Sequence, residues 1–389
     1  MNNKKRILSI LLVLVLAMAT LAGCGGGSGS GTTGDTVKIG VNMELTGGVA
    51  SYGESSMDGI KMAVDEINAA GGINGKQIEL ITGDNKSDSA EATSIATKLM
   101  TQDGVVCALG PATSGNFKAT IPVATENKIP VISGSATADD VTVDANGVKE
   151  FAFRICFNDS YQGVTMANFA ANKLGAKKAV IIKDNSSDYA IGLAEAFSET
   201  FTANGGEIVA EEAYVTADTD FNAILTSIKG ADYDVIFIPG YYEQVGLILK
   251  QARALGITAP VLGADGYDSP TLVELAGAAG ATNVYYSNHY SSKDTDPLVQ
   301  SFVEKWKAAK NAEPNAFNAL GYDLAYFAAD AIGRATDPTD PVAIKDALAS
   351  TEGFAGVTGT ITVDKNHNPV KSIVVIELQK GQEVSAAKY

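Results

Sequence analysis

From about residue 36 onward the chain repeats one pattern: a short Val/Ile-rich run, a turn of small residues, then a longer amphipathic run. The apolar runs are "VKIGVNM", "QIELITG", "VVCALG", "IPVISG" and "FAFRIC", then "AVIIKD", "EIVAEEAYV", "DVIFIPG", "PVLGAD" and "NVYYSN". Between them lie helical stretches such as "DGIKMAVDEINAA" and "SAEATSIATKLMTQ". Strands alternating with helical patterns predict βαβ units and parallel sheets, an α/β fold. Three helix starts are well marked. Ser269, Asp296 and Asp340 each precede a proline, which puts a capping side chain before a first-turn Pro. Asp-Asn-x-Ser-Asp occurs at Asp84–Asp88 and again at Asp184–Asp188, each time just after a strand, which suggests two similarly built lobes. The first series ends near 149–159. The tail adds strands at "FAGVTGTITVD" and "KSIVVIEL", so the chain crosses between lobes more than once. The final Ser385-x-x-Lys388 is expected to fray.

The N-terminus reads as an export leader. Lys4, Lys5 and Arg6 precede the apolar "ILSILLVLVLAMATLAG". It ends in "LAGC", which resembles a bacterial lipobox and implies cleavage after residue 23 and acylation of Cys24. Residues 24–35, rich in Gly and Ser, read as a flexible tether. Removing the leader leaves 26 Lys and Arg against 45 Asp and Glu. Such an acidic body argues against nucleic acid and against electrostatic adhesion to anionic lipid. No later segment approaches the ~20 apolar residues of a membrane span. Cys107 and Cys156 sit in apolar strands and read as buried small hydrophobes.

Enzyme motifs are missing. With His289 and His367 the only histidines, no zinc ligand set forms. "DKNHNP" (364–369) begins like a calcium loop but has Pro369 where an EF-hand needs Gly, so it reads as a turn. No Gly-x-Ser-x-Gly elbow occurs, and "GGINGK" (71–76) is a helix stop. Nothing calls for a cofactor or a metal.

The stretch "CALGPATSG" (107–115) runs from a strand through a small-residue loop into a helix, where backbone N–H groups hold anions. It lacks the Gly-Lys-Ser/Thr of a nucleotide loop. In open α/β sheets ligands sit beyond the carboxyl ends of the strands. Those ends carry Tyr52, Ser114, Ser135 and Thr137 in the first half, and Tyr189, Tyr241 and Asp265 in the second. The set offers hydroxyl donors for a carboxylate, one acid for an ammonium and rings for an apolar side chain. A zwitterionic α-amino acid suits all three. Taken singly, each has a plainer reading: a helix cap at Ser114, turn hydroxyls at Ser135 and Thr137, an Asx-turn at Asp265, core tyrosines elsewhere.

From about Val37 the chain resembles the substrate-binding proteins of branched-chain amino-acid ABC transporters. The segments that carry the likeness are "GGVASYGESSMDGIKMAVDEINAAGGINGKQIEL", "GPATSG", "IPVISGSATA", "FRICFNDSYQG", "GYYEQVGLILKQARALGI" and "GADGYDS". The resemblance implies a type I periplasmic binding protein: two Rossmann-like lobes, a hinge of three crossovers and a ligand in the cleft. It implies residues 36–155 and 289–371 in lobe 1, and 156–288 and 372–389 in lobe 2. By position, Ser114 and Thr137 would hold the carboxylate, and the Ser135 backbone carbonyl and Asp265 the ammonium, with Ala136 also among the ligand-binding residues. Tyr52, Tyr189, Tyr241 and Tyr322 would wall the pocket. Asp265 stands where the family's leucine binder has Glu, and the family's frequent early disulfide is missing. The expected protein is a monomeric, lipid-anchored, extracytoplasmic binder of Leu, Ile or Val that feeds an ABC permease and does no chemistry. A ligand sensor, or a transporter of alanine-like or aromatic amino acids, is the alternative.

Overall fold

The computed structural model describes residues 36–389; the leader, Cys24 and the whole Gly/Ser tract lie outside the described residues. The first series of apolar runs forms β1 (Val37–Met43), β2 (Ile78–Asp84), β3 (Cys107–Leu109), β4 (Val131–Ser133) and β5 (Ala152–Arg154). They pair in parallel in the order 2-1-3-4-5. Of β1 only Lys38 is less than buried, as befits a strand covered on both faces. The second series gives β6 (Lys178–Asp184), β7 (Glu207–Tyr214), β8 (Val235–Phe237), β9 (Val261–Gly263) and β10 (Val284–Asn288). Their order, 7-6-8-9-10, repeats that of the first sheet, again in parallel. β11 (Val374–Gln379) and β12 (Gln382–Lys388) then add antiparallel at the β10 edge.

Two details depart from the sequence reading. The 382–388 tail does not fray; it is an ordered edge strand, held in part by the Ser385 hydroxyl on Glu377 at 2.9 Å. The Asp-Asn-x-Ser-Asp echo does not mark equivalent strands, because it follows β2 in one sheet and β6, the counterpart of β1, in the other. What it marks is shared loop chemistry: Asp84 accepts the N–H groups of Leu45, Thr46 and Lys86, and Asp184 accepts Ser186 N–H and the Thr216 hydroxyl.

The helices that position the cleft are α1 (Ala50–Ala69), α2 (Ser114–Asn127), α3 (Asp159–Asn172), α4 (Asp188–Ala203), α5 (Tyr242–Ala254) and α6 (Ala316–Arg334). α1 and α6 touch backbone to backbone: a Cβ on Gly59 would lie 2.1 Å from Asn318 O, and one on Gly321 would lie 2.1 Å from Ser56 O. Only glycine permits this approach. Ser269, Asp296 and Asp340 cap their helices as the sequence predicts. Cys107 and Cys156 are buried and free, and burial pushes both thiols up to about 12.

α6 packs on α1 and on β3 and β4, whereas β11 and β12 return to the second sheet. The chain therefore passes between the sheets near 155–158, 289–291 and 371–373. Lys371 ties the third passage to the first: its buried ammonium donates to Ile155 O at 3.2 Å and to Thr358 Oγ1 at 2.6 Å. Loss of water lowers its pKa from 10.5 to about 8, although the nearby Asp323 carboxylate opposes the shift. Between those two values the unfolded chain holds more protons than the folded one, so this group makes stability rise with pH. Lys371→Met is expected to flatten that rise; urea unfolding at the two ends of the window measures it.

Candidate functional site

The order 2-1-3-4-5 places a topological switch between β1 and β3, and loops there diverge to leave a crevice. The loop after β3 is the "GPATSG" stretch. Its helix N-terminus does hold an anion, but one supplied by the chain. Glu44, fully buried just past β1, accepts Ala112 N–H (3.0 Å), Thr113 N–H (3.1 Å), the Thr113 hydroxyl (2.8 Å) and Asn116 Nδ2 (3.0 Å). This carboxylate takes the two N–H groups that lead into α2 and so holds the loop from which Ser114 starts the helix. Ser114 Oγ accepts Ala138 N–H at 3.0 Å, so its own hydrogen stays free to donate. Ser135 turns its hydroxyl to Ala112 O at 2.9 Å. The loops after β3 and β4 are thereby fastened together.

Tyr52, Ser114, Ser135, Tyr189, Tyr241 and Asp265 line one narrow cavity, together with Ala112, Thr113, Gly266 and Phe317. About 230 Å³ lies outside atoms there, open solvent included, so the cavity itself is tight. The residues come from loops and helices of both sheets, and bonds cross between them. The Tyr52 hydroxyl donates to Gly266 O and accepts Tyr242 N–H. Ser51 reaches Ser269 Oγ at 2.8 Å and gives its N–H to the Tyr242 hydroxyl at 3.2 Å. At the mouth, Lys118 on α2 bonds both Asp140, on its own side, and Asp188, at the start of α4, each at 2.7 Å. The walls are aromatic. Tyr52 stacks on Phe317 with centroids 4.3 Å apart, and Tyr189 stacks on Tyr241 at 5.0 Å.

Acid gathers at one end. Asp265 Oδ1 accepts the Tyr189 hydroxyl (2.8 Å) and Gln162 Nε2 (3.1 Å), and Oδ2 meets His289 Nε2 at 3.0 Å. Burial lowers the His289 pKa, more than Asp265 raises it. The ring is therefore neutral at pH 7 and donates from Nε2, so all three partners of Asp265 are neutral. Beside it stands Asp159, the first residue of α3 and fully buried. Its Oδ2 has no partner among the described residues, and neither has Thr137 Oγ1. Burial, and then the Asp265 charge, raise the Asp159 carboxyl well above its usual range.

Three of the expected site residues do not line the cavity. Ala136 and Thr137 are fully buried just behind it, and their carbonyls are taken by Arg154 Nη1 at 3.2 and 2.9 Å. Tyr322 lies elsewhere: its hydroxyl donates to Glu66 Oε2 at 2.7 Å, in a separate cavity with Phe302, Tyr326 and Phe354. The cleft-facing ring of α6 is Phe317. Five residues turn a helix by about 140°, which carries Tyr322 to another face. Sequence reading also left out Glu44, Asp159, Gln162 and His289. The "FNDSYQG" segment held two of these, where Asp159 resembles any first-turn acid of a helix.

Two parallel sheets of like order, with a polar and aromatic cavity between their loops, make a solute-binding architecture. The chain belongs to the periplasmic binding protein family, whose pattern matches residues 36–383. It is similar in structure to a branched-chain amino-acid transporter substrate-binding protein of Streptococcus pneumoniae, solved in complex with isoleucine. The two are 43% identical, with a TM-score of 0.87, over 91% of this chain and 99% of that one. A leucine-binding protein of Thermotoga maritima is 34% identical, with a TM-score of 0.84, over 91% and 98% of the two chains. In sequence, a Leu/Ile/Val-binding protein of Rhizobium johnstonii is 30% identical over 84% of this chain and 87% of its own. Among the described residues no helix is long and apolar enough to cross a membrane.

Proposed function

We propose that this protein captures a free branched-chain amino acid between its two lobes and delivers it to an ABC importer, leaving it chemically unchanged. The observation that carries the reading is the polarity of the cavity. Asp265, Ser114 and Ser135 line it together with four aromatic rings, those of Tyr52, Tyr189, Tyr241 and Phe317, and the buried Asp159 stands beside Asp265. An ammonium suits the acids, a carboxylate suits the hydroxyls and N–H groups, and a branched apolar side chain suits the rings. The structural relatives solved with isoleucine or named for leucine support the same ligand class. In this reading Tyr52, Ser114, Ser135, Tyr189, Tyr241 and Asp265 contact the ligand, and Thr137 backs the cavity wall. The lobes are 36–155 with 289–371, and 156–288 with 372–389. The body is a monomer outside the cytoplasmic membrane, held to it by acylated Cys24.

Native mass spectrometry of freshly purified protein tests the ligand class. A co-purifying or added Leu, Ile or Val should be retained unchanged; failure to bind any of the three refutes the assignment. Binding is also expected to close the lobes by hinge motion. Small-angle scattering should report a smaller radius of gyration with leucine than without. An unchanged radius under confirmed binding would mean that no closure occurs.

A further inference from the structure

A buried cation lies behind the cavity. Arg154 ends β5 and is fully buried. Its Nε–H donates to Asn368 Oδ1 at 2.7 Å, and Nη1 reaches the carbonyls of Ala136, Thr137 and Ala138 at 3.2, 2.9 and 2.8 Å. Every acceptor it reaches is neutral, and Nη2 has no partner among the described residues. A guanidinium keeps its charge under ordinary conditions, so a whole positive charge sits under this loop without a bonded counter-ion.

The loop passes that charge on. A trans peptide points its N–H opposite to its carbonyl. With the Ala136 and Thr137 carbonyls turned to Arg154, the N–H groups of Thr137 and Ala138 point away from it. The second of these meets Ser114 Oγ at 3.0 Å, on the cavity wall. The peptide that ends in the Ala138 N–H therefore turns its positive end to Ser114 on the cavity wall, backed by the guanidinium. Asn368 holds the arrangement from the "DKNHNP" turn. It is itself fixed by the Thr142 hydroxyl at 2.7 Å and by its own N–H on Asp364 at 2.8 Å.

We propose that Arg154 is a positioning residue that makes the 136–138 loop selective for an anionic ligand end, with Asn368 as its anchor. The proposal rests on the assignment of the ligand carboxylate to this end of the cavity. It explains how a cavity with no Lys or Arg in its wall distinguishes a carboxylate from a neutral group. The charge acts through the field of the loop and not by contact.

The experiment compares L-leucine with L-leucinamide by calorimetry, using the ratio of the two affinities. Arg154→Gln should lower that ratio about tenfold or more, mostly through weaker leucine binding, and Arg154→Lys should restore part of it. Asn368→Asp serves if Arg154→Gln fails to fold. It keeps the acceptor at Nε and places a counter-ion on the guanidinium, so it should lower the ratio while thermal stability is held or raised. If these variants weaken both ligands alike, or if Asn368→Asp leaves the ratio unchanged, Arg154 only shapes the loop and the proposal fails. If the wild-type protein itself binds both ligands equally, the carboxylate assignment fails first, independently of Arg154.

Discussion

Asp265→Asn should weaken leucine binding by about a hundredfold or more. Asp265 is fully buried and bonded only to Tyr189, Gln162 and neutral His289. Burial, and then the Asp265 charge, push the neighbouring Asp159 toward the protonated form. A ligand ammonium enclosed here without that charge is a buried ion with no partner. Breaking such a pair costs about 3–5 kcal/mol, and each ~1.4 kcal/mol is a factor of ten. The Asn side chain keeps the shape of the site and can still accept from Tyr189, so loss of the fold does not account for the effect. The comparison ligand is 4-methylpentanoate, which lacks the ammonium. Calorimetry should show a much smaller loss for it than for leucine. An equal loss for both would mean that Asp265 does not read the ammonium and that the ligand lies the other way round.

The second large effect concerns stability. Glu44→Ala is expected to destabilise the protein by about 3–5 kcal/mol, because it breaks a buried charge-assisted network. Four donors from Ala112, Thr113 and Asn116 would lose their acceptor together. The Ala112 and Thr113 N–H groups that lead into α2 would then be bare inside the protein, where they cannot be solvated. Urea unfolding should show a lower midpoint. Leucine affinity should fall as well, since Ser114 follows directly on the freed segment. A midpoint within error of wild type would show that water or another side chain replaces the carboxylate at no cost.

Some of this was legible in the sequence for plain physical reasons. Parallel strands covered on both faces read as unbroken Val/Ile runs, and β1, β6 and β8 could be picked out directly. The edge strand β12 could not, because "QEVSAAK" is largely exposed and polar and carries no core pattern. Strand-end loops gave Ser114, Tyr189, Tyr241 and Asp265 because topology decides where such ends meet. Residues on helices were harder. Tyr322 and Phe317 share one helix, and only its rotation about its axis determines which ring faces the cleft. Glu44, Asp159 and Arg154 were harder still. Each matters through partners far away in sequence, and no local pattern reveals that a charge will be buried.

Lys118 has a consequence for the timing of ligand exchange. It holds both Asp140 and Asp188, and in the proposed division of the lobes these lie on opposite sides of the cleft. When the lobes part, Lys118 keeps Asp140, so no cation is left bare. Asp188 is about half exposed (55%) and sits in the first turn of α4, where water and the helix N-terminus receive it. The clasp thus opens at little cost, and salt weakens it further. Deeper in, Tyr52 must give up two backbone partners before the cleft is free. The expected order of opening is therefore the outer ion pair first and the inner tyrosine second.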